Sequence, residues 1–454
     1  MSSPRRPCSP LWASSLGINF NVFEFSMSDL IVDGAHAVAG TIRPSGNKNA
    51  VLPMLCATLL TEEPVTLTNV PEISDIDKLV EFFRSKGSTV SRDLPAQTLT
   101  IQHDFAAFAT SDAELPVGIR AAVLLLAPVL TRSEFVVFDT EAKGCALGVR
   151  EIDPHLEILE RFGGAIAETR PYRIERSGRL EGADLWPDYA SVTATETFAM
   201  IAALARGTSH MNNAASEPHV QALCDMLAAM GADIDGIGTS KLTVRGVERL
   251  SGTTARVPDD HHEVATFLAI GAVTGGRLTV ETDMGPHMTL ILRQLGKLGL
   301  QFEIDGNSIT TTGWTRKITE PYTAEMLPKI EAAPWPYFPA DLLPHAVGIA
   351  VGCEGDIMFW NKVYEGALGW SAELLKFGAR VHLSDPHRLI VFGGNKLRPA
   401  QVEAPYIIRV VVALLLAAIQ IPGESRIKNA DPIRRAYPHF VEKLTSLGAR
   451  VRWE

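Results

Sequence analysis

Six times along this chain a helical pattern stops at a glycine and gives way to a short, often alternating stretch. The instances are Phe82-Phe83-Arg84-Ser85-Lys86-Gly87, Leu159-Glu160-Arg161-Phe162-Gly163 and Leu227-Ala228-Ala229-Met230-Gly231, then Leu295-Gly296-Lys297-Leu298-Gly299, Leu374-Leu375-Lys376-Phe377-Gly378 and Leu444-Thr445-Ser446-Leu447-Gly448. The glycines recur roughly every 70 residues, and a fixed period of this kind means one supersecondary unit used repeatedly. Each glycine is predicted to be the left-handed residue that ends a helix and turns the chain into a strand.

Upstream of each such helix lies a second helical stretch, apolar nearly all round, as in Ala121-Ala122-Val123-Leu124-Leu125-Leu126. These stretches begin near Lys48-Asn49, Arg120, Ser191-Val192-Thr193, His262-Glu263, Asp341 and Arg409. A helix apolar on every side belongs inside a core. Polar residues in its first turn then stand where unpaired N–H groups and the positive end of the dipole emerge. Two groups of three such helices would aim their N-termini at a cleft suited to anions. Capping accounts for Ser191 and Asp341. It does not account for Lys48, Arg120 or Arg409, because a cation opposes the dipole at a helix start.

A second conspicuous stretch is Lys143-Gly144-Cys145-Ala146-Leu147-Gly148-Val149-Arg150. Its glycines predict a mobile loop rather than the interior of a helix or strand. Cations favour thiolate, so Cys145 is placed to titrate below the free value of about 8.5. An arbitrary cysteine is more often a small buried hydrophobe, but polar, flexible neighbours here favour a chemical role.

At 454 residues the chain exceeds one ordinary core, and two domains are the natural prior. Forty-two basic against 52 acidic residues leave a net charge of −10, which argues against a general binder of nucleic acid or of acidic membranes. Cys8, Cys56, Cys145, Cys224 and Cys353 are scattered without pairing, which fits neither a disulfide framework nor a zinc site and suits a reducing cytoplasm. Arg5 and Arg6 are followed by Asn19, Asn21 and Glu24, which interrupt any signal-peptide core. Residues 1–26 are therefore expected to be a disordered tail, or sequence upstream of a start at Met27. The longest apolar run, Val410 to Ile419, falls far short of the roughly 20 residues of a membrane span.

Four stretches together carry a family resemblance: Ser45-Gly46-Asn47-Lys48-Asn49-Ala50, the cysteine loop, Phe338-Pro339-Ala340-Asp341 and Arg435-Ala436-Tyr437. In this order, from about residue 28 to the C-terminus, the chain resembles the enolpyruvyl transferases. The loop, with Arg150, Asp153 and His155 after it, is more similar to the branch using a nucleotide sugar than to the branch using shikimate phosphate. The resemblance implies an α/β fold, a two-domain inside-out α/β barrel of six βαβαββ-type repeats. Residues 27–47 plus 259–454 would form the first domain and residues 48–258 the second, inserted one. That division assigns three of the repeat glycines to each domain, in agreement with the count above.

The chemistry implied is transfer of the enolpyruvyl group of phosphoenolpyruvate to the 3-hydroxyl of UDP-N-acetylglucosamine, with release of phosphate. Such a transfer needs a proton donor, a proton acceptor and compensation for phosphate and carboxylate charge. By resemblance Cys145 is the general acid and Asp341 the base or orienter at the acceptor hydroxyl. Lys48, Arg120, Arg150, Arg409 and Arg435 form the anion clamp, since guanidinium groups hold phosphate and carboxylate bidentately. Arg409 lies within Ile407-Ile408-Arg409-Val410-Val411, where an unpaired charge would be costly. On the acceptor side, Asn49 matches a sugar contact, Ser191 and Val192 the diphosphate site, and Glu365 a further substrate position. Asp153 and His155 match the place where the loop meets the uridine. The resemblance implies no cofactor and no metal, and a cytoplasmic monomer with small-molecule partners.

Five positions depart from the family pattern. Thr193 stands for a glycine, His261 and Ala367 for arginines, Ile407 for an aspartate and Glu151 for a proline. The phosphoenolpyruvate half is thus intact and the nucleotide-sugar half altered. Three functions stay open: the nucleotide-sugar transferase, an enolpyruvyl transferase with another acceptor, and a ligand-binding relative with little turnover. Lys48, Cys145, Asp341 and Arg435 count against the last, because pure binding needs neither acid nor base.

Overall fold

The computed structural model describes residues 28–110, 114–116, 120–139, 151–323 and 325–454. All six repeat glycines have positive φ, from 82° at Gly299 to 105° at Gly231. A side chain is strained in this region, which is why the period is written in glycine. The amide after the glycine reaches back to the helix, as from Ser88 to the Phe83 carbonyl (3.0 Å) and from Ala232 to Leu227 (2.9 Å). With its last carbonyls satisfied, the helix gives way to an antiparallel pair, such as Leu300–Asp305 on Ser308–Trp314.

Among the described residues the strands form six sheets, five of four strands and one of three. Each four-stranded sheet contains one parallel pair, such as Lys329–Ala332 beside Ile357–Asn361 and Gln401–Glu403 beside Gly423–Lys428. In the three-stranded sheet the equivalent contact is a single parallel bridge between Glu114 and Val137. Parallel neighbours need a crossover connection, and in four of the six units the unit's own buried helix supplies it, as Leu343–Ala350 does between Lys329–Ala332 and Ile357–Asn361. Leu30–Gly34 pairs antiparallel with both Gly423–Lys428 and Arg450–Trp453, so the first strand completes the last sheet.

Twice the chain leaves one sheet for a helix of the other core. Gly40–Ile42 pairs with Leu278–Glu281 but leads into the helix Lys48–Ala57. Thr254–Arg256 pairs with Val65–Thr68 but leads into His261–Val273. The two crossing segments run side by side, bridged at Gly46 and Asp259 and bonded from Asn47 N–H to the Pro258 carbonyl (2.8 Å).

Among the six helices predicted to be buried, His261–Val273, Leu343–Ala350 and Ile408–Ala418 bury every residue. Lys48–Ala57 and Val192–Ala202 are buried from Ala50 and Ala194 onward, leaving only their first turns half-open. Two starts differ from expectation. Arg120–Leu125 and Ala340–Leu342 are 3₁₀ turns, and the α-helices begin after them, as Leu126–Arg132 and Leu343–Ala350. Pro128 and Pro344 have no N–H for the carbonyls four residues back, so the α ladder cannot extend upstream through them.

Buried apolar side chains form two cores. One draws on residues from Leu30 to Val38 and from Val264 to Val451, the other on residues from Ala50 to Val257. With helices inside and sheets outside, the molecule is a two-domain inside-out α/β barrel. No helix among the described residues is long and apolar enough to cross a membrane.

Candidate active site

The starts of the helices Lys48–Ala57, His261–Val273 and Ile408–Ala418 and of the turn Ala340–Leu342 meet where the two cores face each other. Asn47 caps Lys48–Ala57, its side chain accepting from the amides of Asn49 (2.7 Å) and Ala50 (3.2 Å). The cap satisfies the helix start, and Lys48 is free of that duty. Its ammonium pairs with Asp75 Oδ2. Arg435 approaches the same oxygen at 3.7 Å from the other core. Asp75 is buried in the first turn of Ser74–Ser85. Sequence reasoning missed it, because an acid at a helix start looks like ordinary dipole compensation.

Asp341 does not cap its helix, contrary to the simplest expectation. Its carboxylate accepts from Arg409 Nη2 at 3.0 Å. Arg409 Nη1 meets the Tyr437 hydroxyl at 3.5 Å, with the guanidinium 5.8 Å from the ring centre. Burial opposes the Arg409 charge, but Asp341, Tyr437 and Asp260 outweigh it and hold the group more firmly charged than usual. The buried cation foreseen in the sequence thus has its partner.

Around this pair lies a histidine group from both cores: His219, His261, His262 and His345. The His261 and His262 rings are 4.0 Å apart, His219 stacks on His261 at 6.3 Å, and Trp335 meets His261 edge-on at 6.2 Å. Burial pushes His219 down to about 4 and His261 and His345 well below the ordinary value, so these rings are neutral. Burial alone would raise the Asp260 carboxyl; the His262 hydrogen bond and the nearby positive charge hold it well below the usual range instead. Asp260, His261 and His262 bring possible ligand atoms within 4.8 Å of one another. Asp260 Oδ1 is already committed to the His262 backbone amide (2.9 Å) and to Nδ1 (3.1 Å), so these two work as a hydrogen-bonded pair, linked to His261 Nδ1 through the Asn47 side-chain amide.

The acceptor-side residues are more dispersed. Ser191 caps Val192–Ala202 by accepting from the Ala194 amide at 3.4 Å. His155 is buried, with Nδ1 on the Thr197 hydroxyl (2.8 Å) and Nε2 on the Thr193 hydroxyl (3.0 Å). Thr193, the residue standing for a glycine, thereby occupies a histidine nitrogen. Asp153 is exposed at the start of Asp153–Arg161, and Glu365 is exposed in a turn before the buried Ala367. Asn49 is half-buried behind Lys48, and Ile407 precedes Ile408–Ala418 without capping it. Cys145 and Arg150 lie outside the described residues, as does the Arg120 side chain.

Arranged this way, two cations from different cores share one carboxylate, and a second carboxylate is clamped by a buried guanidinium. A multiply charged anion at Lys48 and Arg435, with a hydroxyl at Asp341, fits that set.

The family model for EPSP synthase (3-phosphoshikimate 1-carboxyvinyltransferase) matches residues 32–444. A UDP-N-acetylglucosamine 1-carboxyvinyltransferase of Bradyrhizobium diazoefficiens is 41% identical over 424 residues, covering 93% of this chain and 97% of its own. One from Treponema denticola is 37% identical, covering 94% and 99%. Among solved structures, the enolpyruvyl transferase NikO from Streptomyces tendae superposes with a TM-score of 0.82 at 24% identity, over 94% of this chain and 99% of that one. EPSP synthase from Acinetobacter baumannii superposes with a TM-score of 0.73 at 17% identity, over 94% and 100%. At such identities the structures speak for the fold.

Proposed function

This chain belongs to the EPSP synthase family of enolpyruvyl transferases, and we propose that it transfers the enolpyruvyl group of phosphoenolpyruvate to the 3-hydroxyl of UDP-N-acetylglucosamine, releasing phosphate. The observation that carries this is the convergence of Lys48 and Arg435, from opposite cores, on one carboxylate oxygen. A dianionic phosphate would exchange with Asp75 there and so gain two charge-assisted partners. In this reading Arg120 and Arg150 complete the clamp, and Asp341 receives the acceptor hydroxyl.

The acceptor oxygen forms its bond to C2 while Cys145 gives a proton to C3. In the second half C3 loses a proton, the C2–O bond to phosphate breaks, and the double bond returns. Asp341 is suited to orient the acceptor because its pairing with Arg409 holds a carboxylate oxygen, an acceptor, toward the hydroxyl. Sugar and nucleotide contacts fall to Asn49, Asp153, His155, Ser191, Val192 and Glu365. The two cores support domains of residues 27–47 plus 259–454 and of residues 48–258, with the reaction between them. A monomer in the cytoplasm suits both substrates and the buried free thiols Cys56, Cys224 and Cys353.

A different acceptor is the second reading, favoured by one contact: the Thr193 hydroxyl on His155 Nε2, where the family pattern has glycine. Phosphate release from phosphoenolpyruvate across a panel of nucleotides and nucleotide sugars separates the two. Turnover confined to UDP-N-acetylglucosamine supports the first. Turnover only with another acceptor replaces it, and no release with any acceptor defeats both.

A further inference from the structure

His262 follows the second crossing segment, at the first turn of His261–Val273, and is nearly closed to solvent, with 3% of its side chain exposed. Its Nδ1 lies 3.1 Å from Asp260 Oδ1. That oxygen also accepts the His262 backbone amide at 2.9 Å and faces the Asn47 amide at 3.4 Å. An ionised carboxylate only accepts, so the proton of this contact sits on Nδ1. The tautomer is thereby set, and Nε2 is left as the ring's basic nitrogen. Nε2 faces Asp341 Oδ2 at 3.9 Å, the oxygen that accepts from Arg409 at 3.0 Å.

A carboxylate paired to a buried guanidinium is a weak base. If Asp341 had to keep the acceptor proton itself, its pairing with Arg409 would be weakened at the moment the new bond forms. An imidazole behind it removes that conflict, and Asp260 offsets the charge it acquires. We propose that His262 is a positioning residue that draws the acceptor proton through Asp341: the hydroxyl O–H breaks as the oxygen bonds to C2, the proton reaches Asp341, and His262 Nε2 holds it against Asp260. In the second half the proton passes from Nε2 back to Asp341 and from there to the phosphate oxygen as the C2–O bond to phosphate breaks, while C3 returns its proton to Cys145, so the protons balance. Moving Nε2 from 3.9 Å to hydrogen-bond range requires a shift of about 1 Å, of the size by which catalytic contacts tighten when substrate binds. This inference rests on the proposed placement of the acceptor hydroxyl at Asp341.

The test uses the full chain with phosphoenolpyruvate and UDP-N-acetylglucosamine. His262→Asn keeps an amide for Asp260 but nothing that reaches Asp341; His262→Gln reaches toward Asp341 but cannot take a proton. For each variant, kcat, both KM values, the thermal midpoint and the dependence of single-turnover rate on D2O fraction are measured. The expectation for whichever variant folds is a kcat loss of about 10- to 100-fold with KM changed less than about threefold. The D2O dependence should be most strongly bowed in the wild type, where the Cys145, hydroxyl and Asp341-to-His262 protons all move, and less bowed in the variant, which lacks the last of these. A folded variant with wild-type kcat overturns the proposal, as does a loss that falls on KM and stability as heavily as on kcat. A wild type releasing no phosphate overturns the parent reading instead, which keeps the two failures apart.

Discussion

The Arg409 guanidinium donates to the Asp341 carboxylate at 3.0 Å, joining the first turns of two buried structural units 68 residues apart. Arg409 is 10% exposed and Asp341 28%. Removing one partner of such a pair leaves the other charge in a poor solvent, typically at a cost of about 3–5 kcal/mol. Arg409→Met should therefore lose about 3 kcal/mol in urea unfolding, the lower end because Asp341 is partly open to water. Adding Asp341→Asn should recover part of that loss while turnover stays abolished. If the double variant were less stable than Arg409→Met, the two groups would not be coupled as the geometry states.

Lys48→Ala and Arg435→Ala should each lower kcat/KM for phosphoenolpyruvate by about 100-fold or more, equal to about 2.7 kcal/mol of lost transition-state stabilisation. Each variant leaves the buried Asp75 its other cation, so the thermal midpoint should change little. Near-normal turnover in a stable variant would mean the clamp lies elsewhere.

Cys145→Ser keeps the size of the side chain but replaces the thiol with a hydroxyl too weakly acidic to protonate C3. Turnover should fall by at least about 100-fold while acceptor binding, followed by calorimetry, persists. Cys145→Asp supplies another proton donor and should retain substantial activity. An epoxide phosphonate resembling phosphoenolpyruvate should alkylate the wild type and spare Cys145→Asp, read by mass spectrometry, because thiolate is the better nucleophile.

Acid stability has a clean reporter in His103, away from the active site. Its Nε2 meets the Thr58 hydroxyl at 2.8 Å and its Nδ1 the Ser88 hydroxyl at 2.7 Å. Burial, aided by Arg132, pushes it down to about 3 from 6.5. A histidine neutral when folded and charged when unfolded stabilises fully above pH 6.5, and loses that contribution as pH falls toward 3. The slope in that window is about 1.4 kcal/mol per pH unit. Glu196, Glu217 and Glu263, whose carboxyls burial raises, act with the opposite sign, so the whole-protein curve does not isolate the effect. The stability of wild type minus that of His103→Gln should therefore shrink between pH 6.5 and 4.5, by urea unfolding. A constant difference would show that the folded protein binds a proton at His103.

Much of this molecule was legible without coordinates, for local reasons. A glycine at positive φ is demanded by the turn itself, so six such glycines announced six units. Helices apolar on every side have only the interior to go to, and the cations misplaced at their starts pointed to Lys48 and Arg409. Local chemistry also marks where the helices are broken, since Pro128 and Pro344 stand in the sequence just after the 3₁₀ turns.

What only the tertiary structure decided is which of these groups meet. Asp75 had no sequence mark separating it from any first-turn acid, yet it lies between Lys48 and Arg435 because two cores bring their helix ends together. His155, matched to a ligand position, turned out to have both ring nitrogens on threonine hydroxyls of a neighbouring helix. His262 marked only the start of a buried helix in the sequence, and Asp260 carried no mark at all, until the fold set Asp341 behind them. Hydrophobic period and backbone preference act between near neighbours in the chain and are therefore written in it. Charge pairing acts across space, between residues as far apart as 75 and 435, and only the packed cores determine who stands within reach.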